Sequence, residues 1–301
     1  MAVQRIVVQA PAKINLYLGV SCQRTLVGYH RLSTLMGTVG LYDQVTLEPS
    51  DRLSLACRPS VRTSMENNTA SMAALFFAEA LDRPADVAIT LDKTIPAQAG
   101  LGGGSADAAA VLLGLCAAWG IDPADPLVHA VAASVGADVP FFLTGGLALM
   151  GGAGEQLEET FSAVPFHAVL VRPRGVGVST PRAYEAFDAH PEPAAPLEPL
   201  VDAVAAANVD AMAAACANNL EPAAFGLLPA TRQVAQFLSA QPGVLNALVT
   251  GSGSCVFGLC RDAGAADVAA TEAARLGWWS SAVASTPYGC RIVEDGWRAL
   301  P

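Results

Sequence analysis

Residues 96–110 of this 301-residue chain read PAQAGLGGGSADAAA, and no other stretch restricts the fold as strongly. Four glycines lie within the five positions 100–104, and an Ala-rich run typical of a helix follows. Glycine lets the main chain approach a ligand without a Cβ in the way, and the free N–H groups at the start of a helix attract an anion. The stretch therefore predicts a phosphate-binding loop followed by a helix from Ser105 to about Trp119.

The loop does not match the common nucleotide motifs. No Gly-Lys-Ser/Thr follows the glycines, as a Walker A loop requires, and Ser105 stands where the dinucleotide fingerprint has its last glycine. A nucleophile elbow would need a further glycine after the serine. A tight turn capped by Ser105 is the plainer alternative. Asp107 falls in the first turn of the predicted helix, and we expect its side chain to point away from a bound triphosphate or to meet a metal through water.

The flanking sequence predicts an α+β protein without internal repeats. The N-terminal part is β-rich, and helices dominate after the glycine-dense run 145–154. The predicted strands are 6–10, 14–20, 32–39, 44–48, 87–91, 167–171, 245–250, 255–260 and 280–285; the predicted helices are 69–81, 105–119, 125–134, 180–187, 200–217, 229–240 and 263–276. The proline-studded segment 191–199 is predicted to be a loop.

Composition and charge exclude several classes of protein. No uncharged stretch reaches the ~20 apolar residues that span a bilayer, and no secretory leader is recognisable, so a cytoplasmic protein is expected. With 27 acidic against 17 basic residues the net charge is −10, which argues against binding to nucleic acid or an anionic membrane. The seven cysteines show no CxxC spacing, so reduced thiols are expected and a zinc site is not.

Two ionisable residues stand in unusual surroundings. Lys13, one of only two lysines, lies between apolar β-type segments in the stretch PAKINL (11–16). Asp138 lies between a helix end and an apolar, proline-containing segment in GADVP (136–140). A carboxylate there suits a base for a substrate hydroxyl, and an ammonium suits a partner for that base or for a phosphoryl group. An edge-strand lysine and a solvated aspartate are the plainer alternatives.

Two further segments carry weaker signals. TGSGSC (250–255) reads as a Gly-Ser turn between two strands, and hairpin turns look like this without any ligand. In GYH (28–30), Tyr29 can stack on a base and His30 can hydrogen-bond its polar edge, although both can also pack locally.

Taken in order along the chain, PAKINL, PAQAGLGGGS, GADVP and TGSGSC resemble the motifs of the GHMP kinases, the superfamily of galactokinase, homoserine kinase and mevalonate kinase. Within it, PAKINL, GYH and GADVP are most similar to the kinases of the non-mevalonate isoprenoid pathway. Those kinases often have Asp where Val27 precedes GYH here.

The resemblance implies a two-domain GHMP kinase fold. Residues 1–160 would form an N-terminal ATP-binding domain with a left-handed βαβ crossover, and residues 161–301 a C-terminal, ferredoxin-like α/β domain on the substrate side. The active site would lie in the cleft between them. The chain would be a monomer or a homodimer.

The resemblance also implies the reaction, in which ATP with Mg²⁺ phosphorylates a tertiary hydroxyl of a sugar alcohol that carries cytidine diphosphate. Lys13 and Asp138 match the catalytic pair, and no protein residue is assigned as a direct metal ligand. The ATP loop matches Pro96, Ala97, Gln98, Ala99, Gly100, Leu101, Gly102, Gly103, Gly104, Ser105 and Ala106. The substrate side matches Asn15, Tyr29, His30, Thr180 and Tyr184, and the third motif contains Gly251, Ser252, Gly253 and Ser254.

Three other functions compete with this interpretation. The nearest is another kinase of the superfamily, of the homoserine or mevalonate type, against which the GYH segment argues. A decarboxylase on the same scaffold comes next. A non-catalytic nucleotide-sensing module is the third, and the Lys13 and Asp138 pair argues against it because binding alone needs no base.

Overall fold

The computed structural model describes residues 4–26, 28–60, 64–175 and 177–297, so Val27 lies outside the described residues. Two long antiparallel strands form its centre, β1 (Ile6–Arg24) and β2 (His30–Pro49). The sequence predicted four strands here, with breaks at Pro11 and within 40–43, and that prediction was wrong. The register shifts between Pro11 and Ala12, and a proline is tolerated at a bulge because its missing N–H leaves no ladder bond unmade.

The first sheet extends on both sides of this pair in the order β12-β1-β2-β4-β3, in which β12 is Arg291–Asp295. Strand β3 (Ser54–Arg58), helix α1 (Thr69–Ala80) and β4 (Val87–Asp92) form a βαβ unit whose two strands are parallel. Its left-handed crossover stays a prediction. Strands β5 (Leu147–Gly151) and β6 (Gln156–Phe161) extend from β2. The sequence analysis missed β3, β5 and β6, which are short or largely exposed.

Three helices cover the first sheet and shape the site. They are α2 (Gly103–Trp119), α3 (Pro126–Val135) and α4 (Val139–Thr144). Helix α2 begins two residues before its predicted start, so Asp107 is its fifth residue and lies beyond the first turn. Small side chains let α2 approach the sheet closely, since a Cβ on Gly114 would lie 2.2 Å from Leu47 Cδ1. The short α4 was not predicted.

A second, fully antiparallel sheet has the order β11-β7-β10-β9. Its strands are β7 (His167–Arg172), β9 (Val244–Val249), β10 (Val256–Cys260) and β11 (Trp279–Ala284), with helices α9 (Pro229–Ser239) and α10 (Ala263–Arg275). In chain order this is a βαββαβ arrangement, the ferredoxin-like topology that the resemblance implies.

Between β7 and α9 the chain forms α5 (Thr180–Ala189), α6 (Glu198–Ala205), α7 (Val209–Ala215), β8 (Ala217–Asn218) and α8 (Glu221–Leu227). The single helix predicted over 200–217 is therefore wrong. It is interrupted at Ala207, whose φ is 49°, and Asn208 then caps α7 by accepting a hydrogen bond from Ala211 N at 3.1 Å.

Residues before and after residue 160 contribute to the same sheet and to the same apolar core. Strand β12 (Arg291–Asp295) returns to pair with β1, and a continuous apolar core joins Ile14 and Leu35 to Ala168 and Phe257. The boundary at residue 160 stays a prediction. Among the described residues, no helix combines the length and apolar character needed to cross a membrane.

Candidate active site

The glycine-rich loop is held in place by its neighbours on both sides. Leu101 O accepts a hydrogen bond from Lys13 N at 3.0 Å, and Ala99 O accepts one from Cys255 N at 3.1 Å. Gly100 has φ +76°, and a Cβ there would lie 2.1 Å from Thr250 O. Gly102 has φ +74° and caps α2, and a Cβ there would lie 2.6 Å from Phe142. These two glycines are thus required by backbone conformation and packing, whatever ligand the loop binds.

The start of α2 presents N–H groups that are suited to an anion. The first N–H groups of a helix have no carbonyl acceptor within the helix, and the helix dipole is positive at this end. Thr69, at the start of α1, donates its hydroxyl proton to Gly104 O at 2.7 Å and so fixes the helix start from one side.

Lys13 is a buried lysine on β1, not the exposed edge-strand residue of the alternative interpretation. Its Nζ donates to Asn15 Oδ1 at 2.5 Å and lies 3.5 Å from Asp138 Oδ2. Asn15 Nδ2 in turn donates to Thr34 Oγ1 at 2.8 Å, which orients the amide so that its oxygen faces the ammonium. The lysine is therefore fixed by an amide oxygen and paired with a carboxylate.

Asp138 occupies the N-cap position of α4, directly after the turn that ends α3. Its side chain makes no capping hydrogen bond and is 34% exposed, so its oxygens face the cleft. Burial raises the pKa of the nearby Tyr184 to about 12, and the negative charge of Asp138 is a smaller cause of the same shift. Tyr184 is therefore a neutral phenol at physiological pH.

The third motif forms the predicted hairpin turn, between β9 and β10, and it contacts the rest of the site. Thr250 Oγ1 accepts a hydrogen bond from Asn15 N at 3.1 Å and lies 3.2 Å from Asn15 Oδ1 and 3.3 Å from Gly100 O, the two acceptors for its proton. Ser252 and Thr180 hydroxyls are 3.0 Å apart, which connects this turn to the start of α5. Through Thr250, the turn thus contacts both β1 and the glycine-rich loop.

An aromatic group lies on the other wall. The His30 ring stacks on Tyr184 with centroids 5.3 Å apart and meets Phe187 edge-on at 5.8 Å. His30 Nε2 lies 3.1 Å from Asp188 Oδ1, and its Nδ1 lies 2.8 Å from Ser21 O. Tyr29, by contrast, leaves 67% of its surface exposed. The histidine is a fixed ring, while the tyrosine is free to cover a ligand.

These groups line one cleft of about 1150 Å³. It contains most of the predicted site residues: Lys13, Asn15, Tyr29, His30, Pro96, Ala97, Gln98, Ala99, Gly100, Leu101, Gly102, Gly103, Gly104, Ser105, Asp138, Thr180, Tyr184, Gly251 and Ser252. Ala106, Gly253 and Ser254 do not line it. Ala106 is the fourth residue of α2 and its side chain packs in the core, while its place in the ATP loop stays a prediction.

Sequence analysis missed a buried ionic cluster beside the helix start. Lys93, the second of the two lysines, contacts both Asp43 and Asp107, and Lys93 and Asp107 line the cleft. The rarity of lysine was the one available signal, but Asp43 is far from the other two in sequence. Within residues 4–26, 28–60, 64–175 and 177–297, no group of three or more His, Cys, Asp or Glu side chains is arranged to hold a metal ion.

A helix start with free N–H groups, a lysine–aspartate pair and an aromatic wall in one cleft are the features expected of a small-molecule kinase. The family model of the GHMP kinases N terminal domain matches residues 68–146, and that of the GHMP kinases C terminal domain matches residues 200–277. The first match contains the glycine-rich loop and Asp138. Fold and cleft therefore define the class as that of the GHMP kinases.

Similarity to individual proteins identifies the family within the GHMP kinases. The chain is 40% identical, over 96% of its length and 92% of the relative's, to a 4-diphosphocytidyl-2-C-methyl-D-erythritol kinase of Mycolicibacterium gilvum. A crystal structure of 4-(cytidine 5'-diphospho)-2C-methyl-D-erythritol kinase superposes with a TM-score of 0.76 at 38% identity, covering 92% of this chain and 98% of that one. A homoserine kinase from Cytophaga hutchinsonii shares the fold, with a TM-score of 0.74 at 21% identity over 97% of this chain and 98% of that one. The chain belongs to the 4-diphosphocytidyl-2-C-methyl-D-erythritol kinase family.

Proposed function

We propose that this protein transfers the γ-phosphoryl group of ATP to the 2-hydroxyl of 4-diphosphocytidyl-2-C-methyl-D-erythritol, a step of the non-mevalonate route to isoprenoid precursors. The observation that carries the proposal is the Lys13–Asp138 contact, 3.5 Å long, in the cleft that also contains the start of α2. Family membership supports the choice of substrate over those of other kinases with this fold.

The nucleotide would bind with its phosphates at the N-terminus of α2. The N–H groups of Gly103, Gly104 and Ser105 are the donors for phosphate oxygens, and the helix dipole favours the negative charge. The cleft offers the Ser105 hydroxyl as an oxygen ligand for Mg²⁺, which fits an ion held mostly by phosphates and water. When bound, Mg²⁺ neutralises phosphate charge that this acidic chain cannot.

The acceptor hydroxyl would lie against Asp138. A new bond forms between the hydroxyl oxygen and the γ-phosphorus, the bond from that phosphorus to the ADP oxygen breaks, and the hydroxyl proton passes to the Asp138 carboxylate. Lys13, held by Asn15, offsets negative charge on the transferred group. A tertiary alcohol is hindered and weakly acidic, so positioning supplies much of the acceleration.

The cytidine end would bind at the aromatic wall. The stacked His30 and Tyr184 rings form a flat, fixed surface, and exposed Tyr29 can cover the opposite face of a pyrimidine. Thr180, oriented by Ser252, adds a hydroxyl at the start of α5. Asn15 is already engaged through Lys13 and Thr34, so its main task is to position the lysine.

The deciding experiment measures ADP release by the purified protein with 4-diphosphocytidyl-2-C-methyl-D-erythritol, homoserine or mevalonate as acceptor. We expect turnover with the cytidine substrate alone, and ³¹P NMR of the product should show a new phosphomonoester beside the intact diphosphate. Turnover with homoserine or mevalonate alone would replace this assignment by another kinase activity. ATP binding without turnover on any acceptor would favour a nucleotide-sensing module.

A further inference from the structure

Two separate elements form the aromatic wall of the cleft. His30 is the first residue of β2, and Tyr184 lies on α5. Asp188, about one helical turn after Tyr184, contacts both ends of the β1–β2 connection: its Oδ2 accepts a hydrogen bond from Arg24 Nη2 at 2.6 Å, and its Oδ1 lies 3.1 Å from His30 Nε2. Residues four apart lie on the same face of a helix. Asp188 therefore connects the Tyr184 face of α5 to the end of β1 and the start of β2.

Arg24 also contacts the turn that carries Tyr29. Its Nη1 donates to Gly28 O at 2.9 Å, while Nη2 of the same guanidinium donates to Asp188. Thr25 fixes the turn from within, since its N donates to Tyr29 O at 2.7 Å and its Oγ1 accepts from Tyr29 N at 3.1 Å. A planar guanidinium keeps its N–H donors in a fixed relative geometry. Asp188 thus helps to place the carbonyl directly before Tyr29.

The Arg24–Asp188 ion pair contributes little to the stability of the fold. The two side chains are 48% and 43% exposed, and water weakens the attraction between charges in such positions. Both residues nevertheless line the cleft, beside the buried His30 ring. The main effect of the ion pair is therefore on the position of groups in the cleft.

In the proposed function, a pyrimidine lies between Tyr29 and the His30–Tyr184 stack. A base can stack on both sides only if the two faces are held at a suitable separation, and here the faces come from different elements. Resting on the proposed function, we propose that Asp188 is a positioning residue for the pyrimidine, because it holds the turn that carries Tyr29 against the Tyr184 face of α5. The lysine–aspartate pair and the start of α2 are held by other contacts, so Asp188 acts on binding of the cytidine substrate and not on phosphoryl transfer or ATP binding.

The test is steady-state kinetics of the full-length protein as wild type, Asp188→Ala, Arg24→Ala and the double variant, with each substrate varied in turn. Asp188→Ala should raise KM for the cytidine substrate about tenfold, within the range that one stacked base provides. Its kcat and its KM for ATP should stay close to those of wild type. Because the two residues act through one contact, the double variant should raise KM by clearly less than the product of the two single effects. Asp267→Ala, at an exposed aspartate on α10, is the matched control and should behave like wild type.

Four results would overturn the role of Asp188 while leaving the kinase assignment in place. The first is an unchanged KM for the cytidine substrate in Asp188→Ala. The second is a lower KM, which would show that Asp188 competes with the substrate diphosphate for Arg24. The third is a fall in kcat or a parallel rise in KM for ATP, since either would indicate an effect on the chemistry or on the whole fold. The fourth is a double variant whose effect equals the product of the single effects, because Arg24 and Asp188 would then act independently.

Failure of the proposed function looks different from all of these. Wild-type turnover with homoserine or mevalonate alone would overturn the kinase assignment, and this inference would fall with it. Should Asp188→Ala fail to fold, Arg24→Ala decides alone, because an unchanged KM for the cytidine substrate in that variant would contradict the inference.

Discussion

Lys13 Nζ lies 3.5 Å from Asp138 Oδ2, a contact between the middle of a long strand and the N-cap residue of a short helix. Both residues line the cleft that contains the start of α2. Asp138 is suited to accept a hydroxyl proton and Lys13 is suited to offset phosphoryl charge, so the contact places the two groups side by side.

Replacing Asp138 by Asn should therefore affect chemistry and not nucleotide binding. The amide keeps the size of the side chain but removes the proton acceptor, so kcat should fall by at least ~10²-fold while KM for ATP stays nearly constant. Steady-state kinetics with each substrate varied in turn measures both. A kcat close to that of wild type would exclude Asp138 as the base.

Thr250 offers a prediction about how Lys13 is positioned. Its hydroxyl contacts Asn15 and the Gly100 carbonyl, and Asn15 accepts from Lys13. Thr250→Val keeps the shape but leaves Asn15 N without its acceptor, which costs about 1–3 kcal/mol in unfolding free energy and should lower kcat roughly tenfold. Thr250→Ser restores the hydroxyl and should restore most of both, as urea unfolding and kinetics would show. Equal kcat values for the Val and Ser variants would contradict this role.

The nucleobase end gives a third prediction. Tyr29 is exposed and makes no ring stack with His30 in the described structure, so its removal should not disturb the fixed His30–Tyr184 pair. Tyr29→Ala should raise KM for the cytidine substrate by an amount equivalent to roughly 1–3 kcal/mol, the worth of one stacked base. KM for ATP is the internal control and should not change. An unchanged KM for the cytidine substrate would place the base elsewhere.

Two glycines with nearly the same positive φ can distinguish the cost of a left-handed backbone from the cost of a steric clash. Gly100 has φ +76° and Gly120 has φ +69°, but a Cβ on Gly120 meets nothing within 4 Å, whereas one on Gly100 would lie 2.1 Å from Thr250 O. Gly120→Ala should cost about 1–2 kcal/mol, the penalty of a left-handed residue. Gly100→Ala should cost clearly more in urea unfolding, and similar losses would show that the loop can move away from the third motif.

Sequence analysis found the glycine-rich loop but missed the buried cluster of Asp43, Lys93 and Asp107. This difference shows what could be predicted from the sequence. The PAQAGLGGGS loop, Lys13 and Asp138 were predictable because each is unusual in its local setting: a glycine cluster before an Ala-rich run, a lysine between apolar segments, and an aspartate before an apolar, proline-containing segment. The division of β1 at Pro11 was predicted wrongly because a proline at a bulge looks the same in sequence as a proline that ends a strand. Asp43 was missed because Lys93 and Asp107 lie far from it along the chain. The periodicity of a sequence does not show which distant residues meet in the fold.

The buried cluster of Asp43, Lys93 and Asp107 also predicts how stability depends on pH. Burial raises the pKa of Asp107 in the folded protein to about 7, above the value near 3.9 of an unfolded aspartate. The folded state thus binds more protons between these values, so this group's contribution to stability is complete below pH ~4 and is lost as pH rises through about 7. Asp107→Asn removes that titration. The unfolding free energy of wild type minus that of the variant, measured in urea, should therefore fall between pH 5 and 7 and level off above. A difference that stays constant across this range would mean that Asp107 is ionised throughout, with Lys93 alone compensating its charge.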